Sequence, residues 1–219
     1  MTYDLHGAWN ISNKWLDAFL NAHTNLTEIA DSLDLLWRNG IPSGMVNLGL
    51  AFYARTSTLG NTLCKTPGCA YVSAGKAGPC SNSVGTLTNA ELADIITKNN
   101  LKPELFENEA VKIITWGDQW AAYDDGDTFK IKVNFAKSQC LGGVFIWAIS
   151  QDSSDRASSK GLGAAVGRSF VPAQEITAGT PDPENAYCAA QMIYRSPSAD
   201  GTPTAMAIAT PHALTDMSK

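Results

Sequence analysis

Apolar residues change their spacing several times along this chain. Between Asn21 and Arg38 a loop gives way to a helical pattern, with Leu26, Ile29, Ala30, Leu33 and Leu36 three or four residues apart. Thr24 or Asn25 can cap its start, Glu28 lies in the first turn, and Asn39-Gly40 followed by Pro42 ends it. Met45 to Tyr53 is then a nearly continuous apolar run, too short for a typical helix. It reads as a strand buried on both faces, as parallel sheets require. The same sequence of patterns returns later: a helix over Thr128 to Lys137, then a second apolar strand over Leu141 to Ile149. A last helix is expected from Ser154 to Gly167, with Arg156 and Lys160 four apart. Helices alternating with doubly buried strands specify an α/β fold.

The middle of the chain departs from this rhythm. A helix over Thr88 to Ile96 opens with a capping box, Thr88 to Glu91. Ala110 to Thr115 and Gln119 to Tyr123 read as short strands, followed by a turn at Asp124 to Asp127. The section 56–125 is therefore expected to be an α+β insertion, since an ordinary βα loop has about 2–6 residues. From Ser169 onward Pro, Thr, Ala and Ser dominate without a period, the signature of a linker or a disordered tail. The expected division is 1–55 and 126–168 for the α/β part, 56–125 for the insertion and 169–219 for the tail.

Composition narrows the function. A chain of 219 residues that is 44% hydrophobic can build one core, or part of a larger one. The net charge is −5 and no basic block stands out, so nucleic-acid binding has no electrostatic footprint. No run of about 18 apolar residues exists, so no membrane span is expected. The start lacks a signal-peptide pattern. Of five cysteines, Cys64, Cys69 and Cys80 cluster in a Gly/Pro/Ser-rich loop, with Cys140 and Cys188 apart. Without a C-x-x-C pair or a nearby His, that loop suits disulfides in an oxidising compartment better than zinc. Their pairing stays open, and the odd count leaves a thiol free or bonded outside the chain. Asn10 and Asn25 begin glycosylation sequons.

Candidate chemistry gathers at strand ends. Tyr3 and Asp4 lie in MTYDLHGAWN, Tyr53 and Arg55 follow the first apolar strand, and Trp147 lies in the second. The C-terminal ends of parallel strands are where α/β folds bind ligands. Trp and Tyr offer flat faces to a pyranose, so their company with Asp and Arg favours a carbohydrate over a lipid or a nucleotide. G-x-G-x-x-G, P-loop and G-x-S-x-G motifs are absent, and no cofactor is implied. His6, His23 and His212 lack metal-ligand spacing; His23, in NAHTNL, reads as a residue that fixes a loop.

Four segments together resemble the C-terminal part of a family 18 glycoside hydrolase, the chitinase family, in its fungal, killer-toxin-like subgroup. MTYDLHGAW is similar to that family's sixth-strand motif, VNLGLAFYAR to its seventh strand, QWAAYDD to the end of its insertion domain and LGGVFIWAISQD to its eighth strand. The resemblance covers about Met1 to Gly167 and implies α/β architecture: strands 6 to 8 of a TIM barrel with an α+β insertion domain. It implies retaining, substrate-assisted hydrolysis of β-1,4-linked N-acetylglucosamine, an exception to the two-carboxylate scheme. It also implies roles. Tyr3 would hold the acetamido carbonyl in line, Asp4 would bond the sugar and the catalytic acid, and Met1 would pack beneath the reacting sugar. Trp9 would stack a sugar on the leaving-group side, Tyr53 and Arg55 would line the cleft, and Trp147 would form its floor.

One departure is large. The family's acid lies in D-x-x-D-x-D-x-E. Asp31/Asp34, Asp124/Asp127 and Asp152/Asp155 begin that pattern, and none continues it. The expected protein is therefore a chitinase fragment that binds chitin oligosaccharides, is inactive alone, and belongs to an extracellular whole. The second reading is a non-catalytic chitin-binding or lectin-like protein.

Overall fold

The computed structural model describes residues 1–13 and 15–168. Helix α1 spans Leu26–Arg38, α2 Asn89–Lys98, α3 Gly126–Ser138 and α4 Ala157–Val166. Strands are β1 (Asn47–Ala51), β2 (Tyr53–Leu59), β3 (Tyr71–Ala74), β4 (Thr86–Thr88), β5 (Glu104–Phe106), β6 (Val111–Trp116), β7 (Gln119–Tyr123) and β8 (Gly143–Trp147). The expected tail, 169–219, lies outside the described residues.

Two sheets divide these strands. β1 and β8 pair in parallel, Asn47 opposite Gly143 through Ala51 opposite Trp147. The other six form an antiparallel sheet in the order β3-β2-β7-β6-β5, with β4 also on β2. The fold is mixed α/β.

Helix starts follow local chemistry. Of the two expected caps on α1, Asn25 does the work, accepting the Thr27 N–H. Ile29 and Leu33 then turn inward against Leu48, Leu50 and Phe52, while Leu36, on the same period, is left partly exposed. The Thr88–Glu91 capping box forms as read from the sequence. Glu91 does more than cap: it is buried and also accepts the N–H groups of Cys80 and Ser81, pinning the Cys-rich loop to α2. α3 begins earlier than expected because Asp125 caps it, with Thr128 closing the box. At the contact of α3 and α4, a Cβ on Gly161 would come within 2.7 Å of the Gly126 backbone, so the close approach requires glycine.

The apolar run Met45 to Tyr53 does not form one strand. Met45 ends a short 3-10 turn and is exposed. Phe52 still donates its N–H to the Trp147 carbonyl and packs on Phe129, ring centroids 5.4 Å apart. One residue later the chain changes sheets, and Tyr53 pairs with Thr88. The two sheets are thus fused end to end at Phe52–Tyr53. Asn89 braces the junction: its backbone N–H bonds Phe52, and its side chain donates to the Asp124 carbonyl and to Ser158.

Alternation in the antiparallel sheet splits its two faces. Ile113, Trp120 and Ala122 face Leu20, Leu59 and Tyr71; Ile114, Ala121 and Tyr123 face Leu87 and Leu92. In the Cys-rich loop Cys64 bonds Cys69, and Cys140 is a free, exposed thiol. Of the sequon residues, Asn10 is buried and its side chain is hydrogen-bonded with His6.

Candidate functional site

The site lies where β1 hands over to β2. Tyr53 and Arg55 are two apart on β2, so their side chains share one face. The N-terminal segment is laid across them. Thr2 anchors it by donating to the Gly49 carbonyl (2.6 Å). Tyr3 packs over Gly49, where an added Cβ would lie 2.9 Å from the Tyr3 ring and 3.0 Å from that of Phe145. Glycine therefore lets both rings close over the sheet. Tyr3 meets Tyr53 and Phe145 edge-on, with centroids 6.2 Å away in each case.

Asp4 then falls at the centre. Its carboxylate accepts from the Tyr53 hydroxyl at 2.7 Å and from Arg55 Nε and Nη2 at 2.8 Å each, a bidentate fork. The remaining Arg55 terminus, Nη1, donates to Thr86 on β4. The guanidinium lies over the Trp9 ring, 4.9 Å from its centroid, and 5.3 Å from that of Tyr53. Trp9 belongs to a 3-10 turn, Ala8–Ser12, and folds back on Gly7. That turn is tied down by Tyr71, which donates to the Gly7 carbonyl, and by His6, which bridges Glu28 on α1 and Asn10.

Of the seven residues expected from the sequence, Tyr3, Asp4, Trp9, Tyr53 and Arg55 thus form one connected cluster. Trp147 ends β8, two residues after Phe145 and on its face, and is 58% exposed. Met1 projects into solvent at 88% exposure. Sequence reasoning missed Thr86, Phe145 and the His6–Glu28 clamp. It placed His23 only as a loop residue. His23 is fully buried between Asp4 and Tyr53, with its ring centroid 5.0 Å from that of Tyr53.

Electrostatics assigns each polar group a state. Burial alone would raise the Asp4 pKa, but the hydrogen bonds from Arg55 and Tyr53, and the Arg55 charge, hold it well below the usual carboxylate range. Asp4 can accept protons in hydrogen bonds but is a poor proton donor. Burial, then the hydrogen bond to Asp4, pushes the Tyr53 phenol up; burial and the Asp4 charge do the same for Tyr3. Both phenols remain donors. Burial lowers the His23 pKa against the pull of Asp4 and Asp124.

These directions give one pH dependence. Below about pH 6.5 the unfolded chain protonates His23 while the folded ring resists, so stability falls with pH. Asp4 adds in the same direction: its folded pKa is depressed, so its contribution is present above about pH 4 and lost below it. The melting temperature, followed by circular dichroism, is expected to be level near pH 7.5 and to fall from pH 6.5 downward. A level profile to pH 5 contradicts the assignment of a neutral, buried His23.

Residues 1–152 match the model of the glycosyl hydrolases family 18. The chain belongs to that family. A probable chitinase, LysM11, of Penicillium expansum is 32% identical over 172 residues, covering 68% of this chain and 15% of its own. A class V chitinase from Nicotiana tobaccum, solved in complex with NAG4, shares the fold at 23% identity with TM-score 0.67, over 78% of this chain and 48% of its own. YKL-39, solved in the presence of GlcNAc4, aligns at 26% identity and TM-score 0.66 over 76% of this chain and 48% of its own. The human protein is described as a pseudo-chitinase with retained chitooligosaccharide binding. This family 18 chain thus spans about half the length of the solved chains it matches. The sequence reading of family 18 stands.

Proposed function

We propose that this chain forms one wall of a chitooligosaccharide cleft. In this reading β1 and β8 are the seventh and eighth strands of a TIM barrel, the segment around Tyr3 ends the sixth, and the antiparallel sheet is the insertion domain. The observation that carries it is the connected cluster of Tyr3, Asp4, Tyr53 and Arg55, flanked by the partly exposed rings of Trp9 and Trp147. Exposed aromatic faces beside fixed, satisfied polar groups suit pyranose rings, which present both apolar faces and hydroxyls. The chitooligosaccharides bound by the Nicotiana and human relatives support that ligand class.

The roles are those the family resemblance implies, and the protonation states of Tyr3 and Asp4 suit theirs. Tyr3, whose phenol keeps its proton, donates to the acetamido carbonyl of the sugar. Asp4 accepts from the sugar and from a catalytic acid. Tyr53 and Arg55 hold Asp4 and line the cleft, Trp147 is its floor, Trp9 stacks a leaving-group sugar, and Met1 packs beneath the reacting one. No cofactor enters. The Cys64–Cys69 disulfide supports an extracellular setting, and the Penicillium relative supports the fungal subgroup.

Cleavage needs a proton for the departing glycosidic oxygen. Asp4 is held ionised by Arg55 and Tyr53, and the two phenols are held above their ordinary range. Losing a general acid costs about 10²–10⁴ in rate. The 219-residue chain is therefore expected to bind but not to hydrolyse. Incubation of the purified chain with a fluorogenic chitobioside is expected to release no fluorophore above buffer. Turnover that tracks the chain concentration sinks this reading. The second reading, a chitin-binding protein without catalysis, is favoured by the description of human YKL-39 and shares the same wall.

A further inference from the structure

Asp4 sits at φ 62°, in the left-handed region that a non-glycine residue seldom adopts. Such a residue stays there only when its surroundings hold it. Here the holding groups come from one residue, His23, 19 positions away. The His23 ring Nδ1 receives the Asp4 backbone N–H at 3.4 Å, and the His23 carbonyl receives the next N–H, that of Leu5, at 3.1 Å. The other ring nitrogen, Nε2, lies 3.2 Å from the Tyr53 carbonyl.

These partners determine the tautomer. A carbonyl oxygen only accepts, so Nε2 carries the hydrogen. A backbone N–H only donates, so Nδ1 must offer its lone pair. Complete burial keeps the ring neutral, and Lys132 opposes its protonation; Asp4 and Asp124 favour it. The circuit closes through Tyr53, whose hydroxyl donates to Asp4 Oδ1. Asp4, His23 and Tyr53 thus form a ring of three hydrogen bonds, with Arg55 on its outer side.

We propose that His23 is the positioning residue of the site: as the neutral Nε2–H tautomer it fixes the Asp4 backbone, so that the carboxylate faces Tyr53, Arg55 and the bound sugar. The part concerning the sugar rests on the chitooligosaccharide reading above. Without the Nδ1 acceptor, Asp4 relaxes from its left-handed conformation and its carboxylate leaves the Arg55 fork. Protonation of Nδ1 has the same effect on the Asp4 N–H, and brings a donor 3.5 Å from Asp4 Oδ1 instead.

The first test needs no variant. Nitrogen-15 NMR of the full chain near pH 7 is expected to show His23 with Nε2 protonated and Nδ1 bare. The opposite tautomer, or a doubly protonated ring, overturns the proposal. The second test compares two substitutions. His23→Asn places an amide oxygen near the Nδ1 position, whereas His23→Gln places its amide near Nε2. Carbon-13 titration is expected to leave Asp4 depressed in His23→Asn and to raise it in His23→Gln. Chitotetraose affinity is expected to follow, falling about tenfold in His23→Gln only, the scale of one hydrogen bond to a charged group. Equal behaviour of two folded variants overturns the proposal. If the wild-type chain binds no chitotetraose, the saccharide reading fails, while the tautomer and the Asp4 titration still judge His23.

Discussion

Replacement of Lys132 by methionine is expected to lower the unfolding free energy by about 3–5 kcal/mol, the cost of leaving a buried charge without its partner. Lys132, on α3, is 1% exposed and Asp124 is fully buried; the ammonium lies 2.5 Å from Asp124 Oδ1. The same oxygen accepts from Thr128 at 2.8 Å. Burial pushes the Lys132 ammonium down, and Asp124 draws it back up. With methionine in place, the Asp124 carboxylate has only neutral donors in a site closed to water. The pair also fastens the middle of α3 to the residue that follows β7, where the antiparallel sheet rejoins the parallel pair. Urea denaturation reads the loss as a shifted midpoint. The double replacement Lys132→Met with Asp124→Asn is expected to recover much of it, because the uncompensated charge goes too. A single-variant loss below about 1 kcal/mol contradicts this view of the pair.

Trp147→Ala is expected to do the reverse: to spare the fold and remove the ligand. A ring more than half exposed contributes little to the core, so stability should change by about 0.5 kcal/mol or less. If the ring is the floor on which a sugar lies, chitotetraose affinity should fall about 30-fold or more, as for a central aromatic anchor worth about 2 kcal/mol. Phe145, two residues earlier, is less exposed and leans on Tyr3, so it is the packing control. Unchanged affinity in Trp147→Ala removes that ring from the cleft.

The residues that announced themselves in the sequence were those whose chemistry is local. The Thr88–Glu91 capping box, the α1 repeat through Ile29 and Leu33, and the apolar runs of β1 and β8 each depend on neighbours a few positions away. The break after Phe52 was not legible, because Phe52 and Tyr53 look alike in an apolar run. What separates them is Thr88, 35 residues on, which pairs with Tyr53 and not with Phe52. β2 itself reads YARTSTL, polar enough to pass for a loop, and is a strand because β4 and β7 pair with it. β4 and β5, three residues each, carry too little pattern to see. β8 departs in the other direction: its apolar run implies burial on both faces, yet Phe145 and Trp147 face outward.

The members of the candidate cluster were legible by residue type and by family motif, not by connection. Nothing in the spacing says that Asp4 meets Tyr53 and Arg55 across 49 and 51 positions. His23 carried the weakest signal, a single histidine in a polar loop. Its role comes from a backbone conformation at Asp4 that a one-dimensional reading does not contain. Glu28 was read correctly as a first-turn acid of α1; its second task, holding His6 and through it the Trp9 turn, depends on tertiary contact alone.

We propose that this family 18 chain binds chitooligosaccharide through a preformed wall and does not cleave it. Isothermal titration of the full chain with chitotetraose tests it most directly, with the recovered sugar analysed for shorter products. Saturable binding below about 1 mM, within the range usual for enzyme substrates, and intact tetraose afterwards are the expected result. No saturable heat, or shortened sugars that accumulate with chain concentration, would contradict it.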